Sequence, residues 1–390
     1  MFHCVGCEEA LARTITWDEL RDLAAFEAEK GCAVSLYLDL DPSVSPTAGD
    51  AATRLNSLLD EAAKGDGANR RDLTHDQRQG LKADFERIHD FYDREFTREG
   101  ARGLAIFSAG LDNVWRPLDL TEPVRDDVKV GRSLYLAPLV PLVGRGEGAL
   151  VVVVGRERGQ FYRLRGGRLE GLVDHTEEQP GKHDQGGWSQ ARFQRHIETL
   201  VHDHLREVAD ELDRLVRRLH SPQVVVISSE ETRADFGDVL SNEAHSAIVG
   251  WTQAEAHAQA PELLALAAPV LERWRAEQEQ AALERWREEA GRNGRAASGW
   301  RQTLEAASDG RVELLLFQDG ADHPAARCPR CGRVALEDGK CPLDGTSMER
   351  SENGLDLAVH QTLIHGGTVW AVQHREDLDP VEGIGALLRY

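Results

Sequence analysis

The sequence lacks what membrane-spanning, secreted and nucleic-acid-coating proteins need. Its longest apolar run, residues 148–154, has the length of one strand, whereas a membrane-spanning helix needs about 20 apolar residues. The first residues, Met-Phe-His-Cys, include no basic stretch followed by an apolar one, so no secretory signal is expected. Basic side chains are also scarce: 46 Lys and Arg stand against 67 Asp and Glu, a net charge of −21. We therefore expect a cytoplasmic protein that binds neither membrane nor DNA.

Cysteine is sparse too, but three of the six cysteines are closely spaced. Cys328, Cys331 and Cys341 precede Asp344 in the pattern C-x2-C-x9-C-x2-D, and a glycine follows each half. In a cytoplasmic chain, such spacing favours metal ligation over disulfides. The pattern predicts one structural zinc, with Asp344 or, alternatively, His323 as the fourth ligand. The other interpretation is a degenerate segment that holds no metal.

The length of 390 residues is too great for one ordinary hydrophobic core and predicts several domains. We divide the chain into an N-terminal α/β domain over residues 1–142, a middle domain over 143–258 and a third α/β domain over 259–390. A cysteine-rich insertion occupies 323–350. The expected fold class is α/β, or α+β overall.

Hydrophobic periodicity and turn residues predict the secondary structure. In the first domain we expect helices at 17–30, 51–63 and 74–96 and strands at 33–40, 103–108 and 133–142. In the third domain we expect helices at 261–290, 300–307 and 355–365 and strands at 312–317 and 368–373.

The middle domain has the clearest pattern. Residues 149–154 are β-branched and predict a buried strand, followed by strands at 160–164 and 168–173. Apolar residues then recur in steps of three or four from Phe193 to Leu219, which predicts a helix of about 30 residues with one apolar face. A further buried strand is expected at 223–228.

A glycine pair, Gly186-Gly187, lies in the polar loop before this long helix. Two adjacent glycines can adopt backbone angles closed to other residues and can enter a narrow space. Arg192 and Arg195 follow at the helix start, where positive charge opposes the helix dipole, and a polyanionic partner would explain them. The alternative is an ordinary glycine-rich turn with no chemistry.

A second local excess of positive charge lies between Arg145 and Arg168, with six arginines against two glutamates. It indicates either a solvated hairpin face or a contact with an RNA backbone near the glycine loop. The candidate RNA-binding residues are Arg156, Arg158, Arg163, Arg165, Lys182, His183, Arg192 and Arg195.

Three motifs together carry a resemblance to a known family. The strands, glycine loop and long helix are similar to the middle domain of archaeal and eukaryotic class 1 peptide-release factors, whose Gly-Gly-Gln tip reaches the peptidyl transferase centre. Residues 298–317 resemble the start of that family's third domain, and Gly383-Ile-Gly-Ala-Leu-Leu-Arg-Tyr390 resembles its end. The likeness covers about 240 residues and is that of the superfamily's bacterial branch, which is related to Pelota and the hibernation factor Balon.

The departures from the family pattern are informative. The family reads stop codons with an Asn-Ile-Lys-Ser element and a Tyr-x-Cys-x-x-x-Phe element. At the corresponding places this chain has Thr47-Ala-Gly-Asp-Ala-Ala-Thr-Arg54 and Ile106-Phe-Ser-Ala-Gly-Leu-Asp112. The resemblance therefore implies a factor that does not read stop codons.

The third tip residue is Trp188 in place of Gln. In the family this residue offers a backbone N–H to the developing oxyanion, and Trp188 keeps that donor. An indole has no acceptor with which to orient water. Gln190 can replace the missing Gln only if the loop shifts by two residues. Ester hydrolysis at Gly186, Gly187, Trp188 and Gln190 therefore stays open but is disfavoured.

The resemblance implies a ribosome-associated translation factor. It would occupy the A site of the 70S ribosome, with its Gly-Gly-Trp tip near rRNA and P-site tRNA, and act in hibernation, protection or rescue. Delivery by an elongation-factor-like GTPase stays open. One alternative is a peptidyl-tRNA hydrolase or tRNA-cleaving rescue factor that uses Gly186, Gly187 and Gln190. The other is a zinc-stabilised adaptor that does not act on ribosomes.

Overall fold

The computed structural model describes residues 15–64, 73–98, 100–143, 148–165, 167–176, 188–219, 222–254, 258–372 and 376–390, and for 188–194 only the backbone. The described residues form a mixed α/β protein, which confirms the predicted fold class, and their strands form four separate sheets. The chain divides into two units: Met1–Gly144 together with Glu279–Tyr390, and Arg145–Gln278. The predicted division into three domains stays a prediction.

The first sheet of the first unit is antiparallel, in the order β3-β2-β1-β4. Its strands are β1 (Ala33–Asp39), β2 (Gly103–Ala109), β3 (Val114–Leu120) and β4 (Asp127–Gly131). Helices Ala48–Lys64 and His75–Arg94 pack on one face, where Leu55 and Ile88 meet Leu36 and Ile106. Capping boxes at Thr16 and Thr74 fix the starts of helices Trp17–Ala24 and His75–Arg94.

The structure differs from the predictions for this region in three places. Residues 133–142 form no strand, because the segment Ala137–Leu142 is a 3-10 helix with prolines at 138 and 141, which cannot donate to a sheet. The strands that flank the central pair are β3 and β4, which lack an apolar run and were missed. The first helix also ends at Ala24, six residues before its predicted end at Lys30.

The second sheet of this unit has the order β10-β16-β11-β15. Its strands are β10 (Ala296–Ser298), β11 (Val312–Gln318), β15 (Thr368–Val372) and β16 (Ile384–Leu388), accompanied by helices Gly299–Ser308 and Gly354–Ile364. Within the terminal Gly-Ile-Gly motif, Gly383 has a φ of +79°. A Cβ at Gly385 would lie 2.8 Å from Trp286 Nε1, so the motif is required by backbone angle and packing.

The N-terminal and third regions share one core within the first unit. Tyr37 and Phe107 from the first sheet belong to the same buried cluster as Trp300 and Phe317. The predicted cysteine-rich insertion contains a separate small sheet in the order β13-β12-β14, with β12 at Ala325–Arg327, β13 at Val334–Ala335 and β14 at Glu349–Ser351.

A buried polar pair on helix Gly354–Ile364 links the two regions. Asp356 accepts hydrogen bonds from the backbone N–H of Leu136 (2.7 Å) and Ala137 (3.1 Å). His360 lies with Nε2 2.6 Å from Leu134 O and Nδ1 3.2 Å from Ala24 O. Oδ2 of Asp356 lies 3.6 Å from Nε2 of His360. The two side chains therefore hold three backbone segments, at Ala24, Leu134 and Leu136–Ala137, against the same helix.

The second unit contains one sheet in the order β7-β6-β5-β8-β9. Strands β5 (Leu150–Val154), β8 (Val224–Ser228) and β9 (Ile248–Thr252) are parallel, and β6 (Gly159–Arg165) and β7 (Arg168–Asp174) continue the sheet antiparallel. Helix Trp188–Arg218, 31 residues long, packs its apolar stripe on one face, which confirms the prediction. The first part of helix Ala260–Gly291 packs on the other face. The sequence analysis did not predict three elements of this unit: the short helices Glu230–Val239 and Asn242–Ala247, and strand β9.

Candidate functional site

The glycine tip lies between β7 and the long helix of the second unit. Gly186 and Gly187, with Lys182 and His183, lie outside the described residues. The helix begins at Trp188, so Trp188 and Gln190 both belong to its first turn. The segment that contains the glycine pair thus starts from the end of a strand and returns into a helix.

On one face, a cluster of polar side chains lies between the strand end and the helix. His175 directly follows β7, and its Nε2 lies 3.7 Å from Glu211 Oε2 on the helix. Glu211 is buried, and the same Oε2 lies 2.8 Å from Arg214 Nη1. The backbone N–H of His175 donates to Gly159 O at 2.7 Å. This cluster fixes the point where the chain leaves the sheet towards the tip.

A hydrogen-bond network holds the other face of the same strand end. Asp174 accepts from the Thr176 backbone N–H at 2.9 Å and from Gln160 Nε2 at 2.9 Å. The hydroxyl of Thr176, the largest influence, and these donors lower the pKa of the Asp174 carboxyl. Arg158 extends the network, with Nε 2.6 Å from Gln160 Oε1 and Nη2 3.1 Å from Ala258 O.

A buried histidine of the long helix lies beside the first residue of β6. His204 is 3% exposed, and neither of its ring nitrogens has a hydrogen-bond partner among the described residues. It packs beside Gly159, where an added Cβ would lie 3.5 Å from His204 Cε1 and 2.5 Å from Val208 Cγ2. The sequence analysis missed His204 and Glu211. Both lie three or four residues from Val208 and therefore on the apolar face of the helix, where a polar residue is a signal that the sequence offers.

The residues of the predicted cationic edge differ in their exposure. Arg156, Arg165 and Arg195 are exposed, and Arg165 Nη1 lies 3.7 Å from Glu170 Oε2. Arg158 and Arg163 are half-buried, and Arg158 is bound within the network above. The side chain of Arg192 is outside the described residues. The exposed three therefore remain the accessible candidates for an RNA contact.

The structure brings together the four predicted metal ligands, here called the cysteine centre: Cys328, Cys331, Cys341 and Asp344. Their donor atoms all lie within 4.8 Å of one another, the only such group among the described residues. Each half of the motif is a tight turn: Gly332 N–H donates to Cys328 O at 3.0 Å and Gly345 N–H donates to Cys341 O at 2.9 Å.

The distances fit tetrahedral coordination. Zinc bonds of about 2.3 Å to sulfur and about 2.1 Å to oxygen require S···S edges of about 3.8 Å and S···O edges of about 3.6 Å. Here Cys331 Sγ lies 3.5 Å from Cys341 Sγ, and Cys328 Sγ lies 3.6 and 3.7 Å from the Asp344 oxygens. The Thr346 backbone N–H, donating at 2.9 Å, lowers the pKa of the Asp344 carboxyl to about 2.

His323, the alternative fourth ligand, is not part of this group. Its Nδ1 lies 2.8 Å from Pro324 O, and its ring packs against Trp300 at a centroid distance of 5.8 Å. The cysteine centre thus offers a metal ion three sulfurs and one carboxylate.

Among the described residues, no helix is both long and apolar enough to cross a membrane.

Comparison with solved structures returns release factors and Pelota. The chain is similar to the archaeal translation termination factor aRF1 at 18% identity, covering 97% of this chain and 99% of that one, with a TM-score of 0.26. An archaeal Pelota from a model of ribosome-bound Pelota and ABCE1 is 15% identical over 97% and 96%, with a TM-score of 0.44. Because these TM-scores are low, the assignment depends on sequence.

The sequence matches are more decisive. Residues 135–279 match the model for bacterial archaeo-eukaryotic release factor family 10. Peptide chain release factor subunit 1 of Archaeoglobus fulgidus is 23% identical over 371 residues, which cover 88% of each chain. The same protein of Pyrococcus abyssi is 26% identical over 254 residues, 60% of this chain and 61% of the relative. Together these matches show that the chain is similar to bacterial archaeo-eukaryotic release factor family 10 over residues 135–279, and to an archaeal peptide chain release factor along most of its length.

Proposed function

We propose that this chain is a cytoplasmic translation factor that occupies the ribosomal A site with its Gly-Gly-Trp tip near the peptidyl transferase centre. It acts in hibernation, protection or rescue, without stop-codon reading. The observation that carries the proposal is the set of contacts that hold the end of β7, immediately before the segment with the glycine pair. At the strand end, His175 Nε2 lies 3.7 Å from Glu211 on the helix, and Asp174 accepts a hydrogen bond from Gln160 on the opposite face. The 31-residue helix behind the tip is about 46 Å long at about 1.5 Å per residue. Such a support suits a loop that must reach a deep, narrow site.

The two places where stop-codon elements would lie are occupied by internal contacts. Thr47 and Asp50 cap helix Ala48–Lys64, with Thr47 Oγ1 2.7 Å from Asp50 Oδ2. Asp112 accepts from the backbone N–H of Lys30 at 3.1 Å and Gly31 at 3.2 Å. Groups committed to such contacts are not presented to a codon, which supports a factor that does not decode.

Hydrolysis is the second candidate function. It would use Gly186, Gly187 and Gln190. In this mechanism the Gln190 side chain would orient the attacking water. Gln190 lies in the first helical turn, so moving it to the tip requires that turn to unwind. Since Trp188 offers no acceptor to water, the geometry favours occupation of the centre over catalysis there. An indole can also stack on a nucleobase, which suits binding.

The test is ribosome binding by tip variants. The double change Gly186→Ala and Gly187→Ala should weaken co-sedimentation with 70S particles and the protection of idle ribosomes. Gly171→Ala is the matched control, because Gly171 lies in β7 and an added Cβ there meets nothing within 4 Å. Equal behaviour of all three proteins would mean that the loop is an ordinary turn. No salt-sensitive binding by the wild type would favour the adaptor.

Peptidyl-tRNA turnover separates occupation from catalysis. Loss of one well-aimed catalytic group costs about 10²–10³ in rate, so Trp188→Gln should raise hydrolysis above the wild type. If the wild type already hydrolyses well and Gln190→Ala abolishes it, the chain is an enzyme. Adding an elongation-factor-like GTPase to both assays tests whether delivery is needed, and footprinting of the bound state tests contact with P-site tRNA.

The exposed arginines Arg156, Arg165 and Arg195 are proposed to contact rRNA phosphates. Each phosphate contact contributes about one unit to the dependence of log affinity on log salt. Replacing the three with glutamine should flatten this slope by about two to three units. Arg158→Gln is the informative comparison, because Arg158 is bound internally. An unchanged slope in the triple variant would exclude the edge from the interface.

We also propose that the cysteine centre holds one structural zinc. Thiolates bind zinc tightly, so protein purified without added metal should contain about one equivalent. Chelation should speed hydrogen exchange in residues 325–351 and leave the second unit unchanged. Absence of metal, with melting unaffected by chelator, would contradict the proposal.

A further inference from the structure

The ligands of the cysteine centre differ sharply in exposure. Cys328 is 0% exposed and Cys341 is 2% exposed, whereas Cys331 is exposed. A small oxidant arriving from solvent therefore meets Cys331 first. A metal-bound thiolate keeps nucleophilic character, and accessible thiolates are the ones that oxidise.

A resolving sulfur lies next to this exposed thiol. Cys331 Sγ and Cys341 Sγ are 3.5 Å apart, and a disulfide needs about 2.05 Å. Cys328 Sγ is fully buried and lies 3.6 Å from the Asp344 carboxylate. Closing the gap between Cys331 and Cys341 takes about 1.5 Å of movement, and it removes two of the four donors from the metal.

We propose that the cysteine centre is a peroxide-sensitive site in which Cys331 is oxidised, Cys341 closes the disulfide and zinc is released. This inference depends on the proposed zinc site. The Cys331 thiolate attacks one oxygen of hydrogen peroxide, the O–O bond breaks, and a sulfenic acid and hydroxide form. Cys341 Sγ then attacks the Cys331 sulfur and displaces the second hydroxide. Two thiolates, one peroxide and two protons give one disulfide and two waters, and Zn²⁺ leaves.

The contacts around Cys331 connect this event to the rest of the first unit. The next residue, Gly332, accepts a hydrogen bond on its carbonyl from Gln361 Nε2 at 3.1 Å. Gln361 lies on helix Gly354–Ile364, next to the His360 pair. Closer to the small sheet, Ser308 Oγ both donates to Val334 O at 3.0 Å and accepts from Val334 N–H at 2.9 Å. Movement of the Cys331 turn therefore displaces partners of two helices.

The experiment treats the zinc-loaded full chain with up to one equivalent of hydrogen peroxide. A colorimetric chelator follows released zinc, and peptide mass spectrometry locates the disulfide. We expect one zinc released per disulfide formed, a Cys331–Cys341 linkage, and faster hydrogen exchange in residues 354–364. Cys331→Ser should slow peroxide-driven release on the order of tenfold or more. Cys32→Ser, which changes a half-buried cysteine outside the centre, is the matched control and should behave as wild type.

The outcomes distinguish the two proposals. A chain that contains no zinc overturns the zinc site and this inference with it. Zinc that stays bound after peroxide, or a disulfide that joins a different pair of cysteines, overturns the inference alone. If Cys331→Ser fails to retain zinc, the test is the disulfide formed in the wild-type protein. A Cys331–Cys341 linkage supports the inference, and any other linkage overturns it. Neither result bears on ribosome binding, which is measured separately.

Discussion

Replacing His360 should weaken the first unit selectively. The change His360→Leu keeps a side chain of similar volume in a buried place but removes the ring nitrogens that lie 3.2 Å from Ala24 O and 2.6 Å from Leu134 O. A buried acceptor left without its donor costs about 1–3 kcal/mol, so the change should lower the unfolding free energy of this unit by at least that amount.

A double-mutant cycle tests the origin of that loss. In His360→Leu, the buried Asp356 side chain keeps the N–H donors of Leu136 and Ala137 but loses the imidazole that lies 3.6 Å from it. Adding Asp356→Asn should then cost less than it does in the wild type. Residues in direct contact typically couple by about 0.5–3 kcal/mol.

The assay should read the two units separately, because a single melting curve of a two-unit chain does not define one free energy. Hydrogen exchange in a urea series, resolved by peptide, gives a stability for each unit, with residues 145–278 as the internal reference. His365→Leu, an exposed change at the end of the same helix, should stay within about 0.5 kcal/mol of wild type. A His360 variant as stable as this control, or an equal loss in both units, would refute the reasoning.

Three further predictions concern the strand end before the tip and a buried acid. Gly159→Ala places a methyl 2.5 Å from Val208 and should destabilise the second unit by about 1–3 kcal/mol, measured by urea unfolding. Glu211→Gln removes the charge opposite His175 and should speed hydrogen exchange in residues 168–176 but not in 224–228. If the variant and the wild type exchange at equal rates in residues 168–176, the cluster does not hold the strand end. Burial raises the pKa of Asp84, so its contribution to stability is present at low pH and is lost as pH rises through that pKa. The stability of Asp84→Asn relative to wild type should therefore improve from about pH 4 to pH 7, and a constant difference would contradict the shift.

Local patterns in the sequence were sufficient for the regular parts of the molecule. The helix at Trp188–Arg218 and the buried strands β5 and β8 follow from apolar spacing, which depends only on the period of each element. The spacing of Cys328, Cys331 and Cys341 likewise predicted a common centre, because tight turns bring both halves of such a motif to one point. The strand predicted at 133–142 was wrong because proline content outweighed the apolar run.

Only the tertiary structure decided which distant groups meet. The choice of Asp344 over His323 depends on where the His323 ring packs, against Trp300, and spacing does not encode that. His175 and Glu211 are 36 positions apart and meet because sheet register and helix docking place them together. His360 reaches carbonyls at Ala24 and Leu134, far away in the chain. Such contacts follow from the packing of whole elements, whereas periodicity reports only on a residue's near neighbours along the chain.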